Sequence, residues 1–121
     1  MNLESVKSLF QLFSGEEPNE KYAPVITLAM TEVTRLLRPD ADASDVRLDF
    51  LAAAFANYRV RTILCSAQSD KVTYAGKMVT PENDSSLAYA EKLLRDHCEL
   101  CSDLIYPYSF IFIGVSGGER L

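Results

Sequence analysis

The sequence predicts a mainly α fold: a four-helix body, one helix short and three long. It adds a short β segment or hairpin between the last two helices, and a C-terminal strand. Three observations carry this. Apolar residues recur at helical spacing in four stretches. Glycine, proline and acidic runs separate those stretches. Two short segments, Lys71–Val79 and Tyr108–Val115, are instead rich in β-branched and aromatic residues. At 121 residues the chain is expected to form one domain, 1–121, with 106–121 as its C-terminal strand and tail.

Leu3, Val6, Leu9, Phe10 and Phe13 form the stripe of the first helix, with Asn2 as its N-cap and Gly15 as its stop. Gly15-Glu16-Glu17-Pro18-Asn19 reads as a loop. The second helix spans about Asn19 to Arg38, and Pro24 moves its start toward Ala23 because proline suits a first turn. Val25, Ile26, Leu28, Ala29, Val33, Leu36 and Leu37 give it a broad apolar face. Arg35 and Arg38 complement the dipole at its end, and Pro39 stops it.

Asp40 to Asp45 is an acidic linker, with Ser44 or Asp45 as the next cap. The third helix runs from about Val46 to Ala67. Leu48, Phe50, Leu51, Ala52, Ala53, Ala54, Phe55, Ala56, Val60, Ile63, Leu64 and Cys65 cover most of its circumference. A helix apolar nearly all round is buried by others, so this one is the expected hub.

Lys71-Val72-Thr73-Tyr74-Ala75-Gly76-Lys77-Met78-Val79 follows as the β segment, with Ala75-Gly76 as a turn or bulge. A lone strand leaves its N–H and C=O groups unpaired, so it must find a partner. Thr80 to Asp84 reads as a loop, and Asp84 or Ser85 as a cap. The fourth helix runs from about Ser86 to Ile105. Leu87, Ala90, Leu94, Cys98, Cys101 and Ile105 share one face, while Glu91–Arg95 and Lys92–Asp96 pair on the wet side. Pro107 ends it. Tyr108–Val115 is apolar and nearly uncharged; fully burying Phe110, Ile111, Phe112 and Ile113 would contribute roughly 1.5–3 kcal/mol each.

The net charge of −5 argues against general nucleic-acid binding, which rests on phosphate neutralisation. No apolar run reaches the roughly 20 residues of a membrane span, and the first residues lack a signal-peptide core. A protein made in a cytoplasm, with its three cysteines reduced, is expected.

Four motifs look chemical and fail on context. Gly114-Val115-Ser116-Gly117-Gly118 matches a nucleophile elbow but lacks the following helix, acid and histidine. Cys98-Glu99-Leu100-Cys101, with Cys65 and His97, could offer four zinc ligands, but His97 and Cys98 point about 100° apart on a helix. The pair also lies mid-helix, where no dipole lowers a thiol pKa. Asp40-x-Asp42-x-Ser44 begins like a calcium loop but has Asp45 and Leu51 where glycine and glutamate are required. Arg35, Arg38, Arg47, Arg59 and Arg61 read as helix-end charges and ion pairs rather than a phosphate-binding patch. No catalytic, cofactor or metal residue is assigned, and no enzymatic role is expected.

The order of elements, with the opening Asn-Leu-Glu-Ser-Val-Lys-Ser-Leu-Phe and the acidic balance, resembles the tailed-phage head–tail connector (head-completion or adaptor) family. The likeness covers Leu3 to Ile105. It maps a helix onto Tyr22–Arg38, an Ala-rich helix onto Val46–Ala67, a Val-Thr-Tyr β segment onto Lys71–Val79 and a last helix onto Leu87–Ile105. Phe110–Val115 has no counterpart. The resemblance implies a structural phage or prophage protein, in the virion or in host cytoplasm before assembly. It would form a ring between portal and tail proteins, with DNA passing through the lumen without sequence-specific binding, and no membrane. Val72, Tyr74, Met78, Phe110, Ile111, Phe112 and Ile113 are the interface residues this reading names, with β-augmentation between subunits as the mode. A small helical adaptor or regulatory protein acting through protein–protein contacts is the alternative.

Overall fold

A computed structural model describes residues 1–75 and 81–107, and the side chains of 1–66 and 85–107. It has four helices: α1 (Leu3–Ser14), α2 (Ala23–Leu36), α3 (Val46–Ala75) and α4 (Pro81–Leu100). α3 is the hub. It packs against all three others, whereas α1 and α2 meet only slightly. Leu48, Leu51, Ala52, Ala53, Ala54, Phe55 and Ala56 are all fully buried. Four alanines in five positions let the neighbouring helices approach closely from several sides, and Phe55 fills the space between them.

α1 begins and ends as its sequence dictates. Asn2 Oδ1 accepts the Ser5 N–H at 3.1 Å, satisfying one of the free first-turn donors. Gly15 adopts φ 75° and its N–H donates to Gln11 O at 2.8 Å, closing the helix in a left-handed cap. Val6 and Phe10 are fully buried. The Asn2 N–H also donates to Asp49 Oδ1 at 3.3 Å, which ties this end to the first turn of α3.

α2 starts at Ala23, with Pro24 in the first turn. Asn19 prepares it: its carbonyl accepts from Tyr22 and Ala23, and its side chain from Lys21. Ile26, Ala29 and Val33 make the buried stripe. The helix ends at Leu36, before Pro39. Leu37 is extended and forms an antiparallel bridge with Ile105. Arg38 N–H donates to Leu104 O, and Tyr106 N–H to Leu36 O, each at 2.9 Å.

Three expectations need correction. Lys71–Ala75, the first half of the expected β segment, continues α3. Once a helix is nucleated, each added residue gains a hydrogen bond for one pair of dihedrals fixed, so a run of modest β propensity is carried along until a breaker. The first breaker here is Gly76. Likewise Pro81–Ser85 is the start of α4 and not a loop, with Pro81 at the first helical position, where its missing N–H costs nothing. At the other end α4 gives way to a turn over Cys101–Leu104, so Ile105 lies past the helix. Gly76–Val79 and the expected C-terminal strand Tyr108–Val115 lie outside the described residues. Among the described residues there is no sheet.

Candidate interaction surface

α3 divides into two functional halves. Residues Leu48 to Val60 supply most of α3's share of the core. Beyond Val60, exposure rises: Thr62 and Ser66 are exposed, and Ile63 is 57% exposed. Arg61 Nη2 donates to Ser14 O at 2.6 Å at the end of α1, and Ile63 lies across from Val25 and Leu28 near the start of α2. From Ile63 the helix continues to Ala75, about 18 Å further at 1.5 Å per residue. The far half of α3, with the start of α4, therefore extends past the ends of α1 and α2 as an arm. Of the interface residues named from sequence, Val72 and Tyr74 lie on the α3 part of this arm. Met78, Phe110, Ile111, Phe112 and Ile113 fall outside the described residues.

The body also carries apolar side chains that nothing covers within the described chain. Tyr89 and Leu12 are more than 70% exposed, and Val46, Leu100 and Leu28 about half. Leu28 and Ile63, with Val25, Tyr58, Arg59 and Thr62, line an open groove of about 450 Å³ between α2 and α3. Its polar edge is the bidentate pair Arg59–Glu32, with Nη2 2.7 Å from both carboxylate oxygens. Sequence reading placed Leu28 and Ile63 on buried faces. The signal that corrects it is length: helices of 12 and 14 residues cannot cover both halves of one of 30 residues.

Arg38, Arg47, Arg59 and Arg61 all have partners. Arg47 bridges Asp45 and Asp103, each at 2.9 Å, and donates to Leu100 O. Its side-chain hydrogen bonds hold both carboxyls below the usual carboxylate range. Arg61 pairs with Glu16, and Arg38 stacks on Tyr106 while donating to Ser102 O. Asp42 Oδ1 accepts the Ser44 hydroxyl and N–H, which depresses its pKa. This Asp-Ser turn takes up the oxygen that a calcium loop would have offered.

His97 stacks parallel to Phe50, ring centroids 6.0 Å apart and 7° between planes, with Phe13 packed at 5.6 Å. Its Nδ1–H donates to Leu93 O at 2.9 Å. It is thus a packing residue joining α1, α3 and α4. Cys101 is fully buried, and burial pushes its thiol up to about 11 and that of Cys98 to about 12. Burial thus favours the neutral thiol at both positions. Among the described residues no group of three His, Cys, Asp or Glu side chains could hold a metal ion, and no helix is long and apolar enough to cross a membrane. Ser116 lies outside the described residues.

The chain matches no protein-family model, no curated protein and no solved structure.

Proposed function

We propose that this chain is a structural subunit of a tailed-phage or prophage head–tail connector, acting through contacts with copies of itself and with portal or tail proteins. The single observation that carries the reading is the α3–α4 arm beyond a closed helical body. A free-standing domain has no use for a central helix that outruns α1 and α2 by about 18 Å. A subunit that must reach a neighbour does. Val72 and Tyr74 lie on this arm, so helix packing supplies the contact there.

Two features are consistent with this role. The exposed apolar side chains Leu12, Tyr89, Val46 and Leu100 suit a body with more than one partner surface. The acidic balance keeps DNA from adhering to the walls of a channel. The alternative, a small helical adaptor or regulator, draws on the same exposed side chains but gives the arm no particular task.

Deletion of Val72–Met78 tests the reading. The variant is expected to keep its helical far-UV signal and lose self-association and docking to portal or tail proteins. Unchanged association in a folded variant would remove the arm from the interface. A gene flanked by no virion genes would count against the connector itself.

A further inference from the structure

The hub helix carries a buried amide that is bonded on one side only. We propose that Asn57 and Arg61 form the floor of a pocket between α1, α3 and α4, and that this pocket binds a small carboxylic acid with an apolar body. Burial, unmet donors and shape carry this.

Among the described residues, α3 buries two polar side chains, Asp49 and Asn57. Asp49 Oδ1 accepts the Asn2 N–H. Asn57 is 4% exposed, and its Oδ1 accepts from Arg61 Nε, one turn on, at 3.4 Å. That contact turns Nδ2 the other way, where it finds no acceptor among the described residues. Nor is Nδ2 sealed in. Arg38 Nε is the unpartnered atom that is shut away among the described residues, so Nδ2 opens onto the pocket that Asn57 lines. A buried amide with an unmet donor costs stability, and a ligand acceptor would relieve that cost.

Arg61 adds charge beside it. Its Nη2 donates to Ser14 O at 2.6 Å and lies 3.7 Å from Glu16 Oε2, while Nε is taken by Asn57. These contacts hold the guanidinium still and leave Nη1 without an acceptor among the described residues. The Ser14 hydroxyl is already spent, donating to Phe10 O and accepting the Glu16 N–H. The floor therefore offers donors. Glu16 shares the guanidinium, so a single negative charge is matched there and a phosphate dianion is not. A planar carboxylate fits a planar guanidinium and amide.

Shape agrees with chemistry. The pocket encloses about 360 Å³, at the small end for a ligand site. Ala90 is buried and Phe13 and Leu93 half-buried, and they make its apolar wall. Ser86 and Tyr89 are exposed at its rim. A carboxylate at the floor places the body of the acid against the wall and the Tyr89 ring. The site stands whether or not the chain is a connector subunit.

The full-length, isotope-labelled chain tests it by NMR titration at neutral pH. The probe is benzoate, and neutral benzamide, of the same shape, is the control. Benzoate should move the Asn57 side-chain NH2 signals saturably. Benzamide should bind about tenfold more weakly, because it lacks the charge-assisted bonds. Asn57→Asp keeps the shape, removes the donor and adds a like charge; it should keep the helical far-UV signal and lose benzoate binding. Tyr89→Ala, at an exposed position, should keep the fold and weaken binding about threefold. No saturable shift, equal affinity for the acid and the amide, or parental affinity in a folded Asn57→Asp or in Tyr89→Ala would overturn the site.

Discussion

Phe55→Ala should cost this protein a large part of its stability, whereas Ile63→Ala, two turns along the same helix, should cost little. Phe55 is fully buried where α3 meets its neighbours, and Ile63 is 57% exposed. Alanine is at least as good a helix former as either residue, so local propensity cancels and packing alone is read. Truncating a buried phenylalanine removes its transfer free energy, about 1.5–3 kcal/mol, and leaves a cavity among alanines too small to refill it. The sum falls at about 3–5 kcal/mol, against a total of about 5–15 for a domain of this size. With a urea slope of about 2 kcal/mol/M, a loss of that size lowers the midpoint by roughly 1.5–2.5 M. Far-UV circular dichroism in a urea titration reads this directly. Ile63→Ala should stay within about 1 kcal/mol of the parent. Equal losses at the two positions would refute the division of α3 into a core half and a projecting half.

Gly15→Ala isolates backbone strain: a Cβ there would meet nothing within 4 Å, but φ is 75°, so about 1–2 kcal/mol should be lost in the same titration. Cys98 and Cys101 should resist iodoacetamide at pH 8 in the native state and react after unfolding, with mass spectrometry counting the adducts. Their raised pKa values also mean that the folded state favours the neutral thiols. That contribution is intact below about pH 9 and should be lost as pH rises toward 11 to 12, seen as a falling urea midpoint. Asp45 and Asp103 have depressed pKa values, so the opposite sign holds. Their contribution is present above the ordinary carboxylate pKa near 4 and fades only as pH falls below it; Arg47→Gln should flatten that acid limb.

Much of the fold was legible because its signals are local. Asn2 and Gly15 bracket α1, Pro24 sets the start of α2, and the apolar girth of Val46–Val60 marks the hub. The 71–75 stretch was misread because β propensity is weak against the continuation of a helix already formed. Val72, Thr73 and Tyr74 have no breaker between them and α3. The groove was hidden for a different reason. Leu28 and Ile63 have the spacing of core residues, and only the unequal helix lengths leave them open. His97 was set aside as a zinc ligand from its angle to Cys98, but its packing role stayed hidden because nothing in the sequence reveals the flanking rings of Phe13 and Phe50, which come from two other helices. Cys98 and Cys101 were expected mid-helix, but Cys98 lies in the last turn of α4 and Cys101 just past its end, both packed with the core.

We propose that this helical body joins other subunits through its α3–α4 arm. Co-sedimentation of the purified chain with the portal protein encoded in the same genome tests it most directly. The account predicts a stoichiometric complex with the parent chain and none with the chain lacking Val72–Met78. A parent chain that stays in the supernatant at every ratio would contradict it.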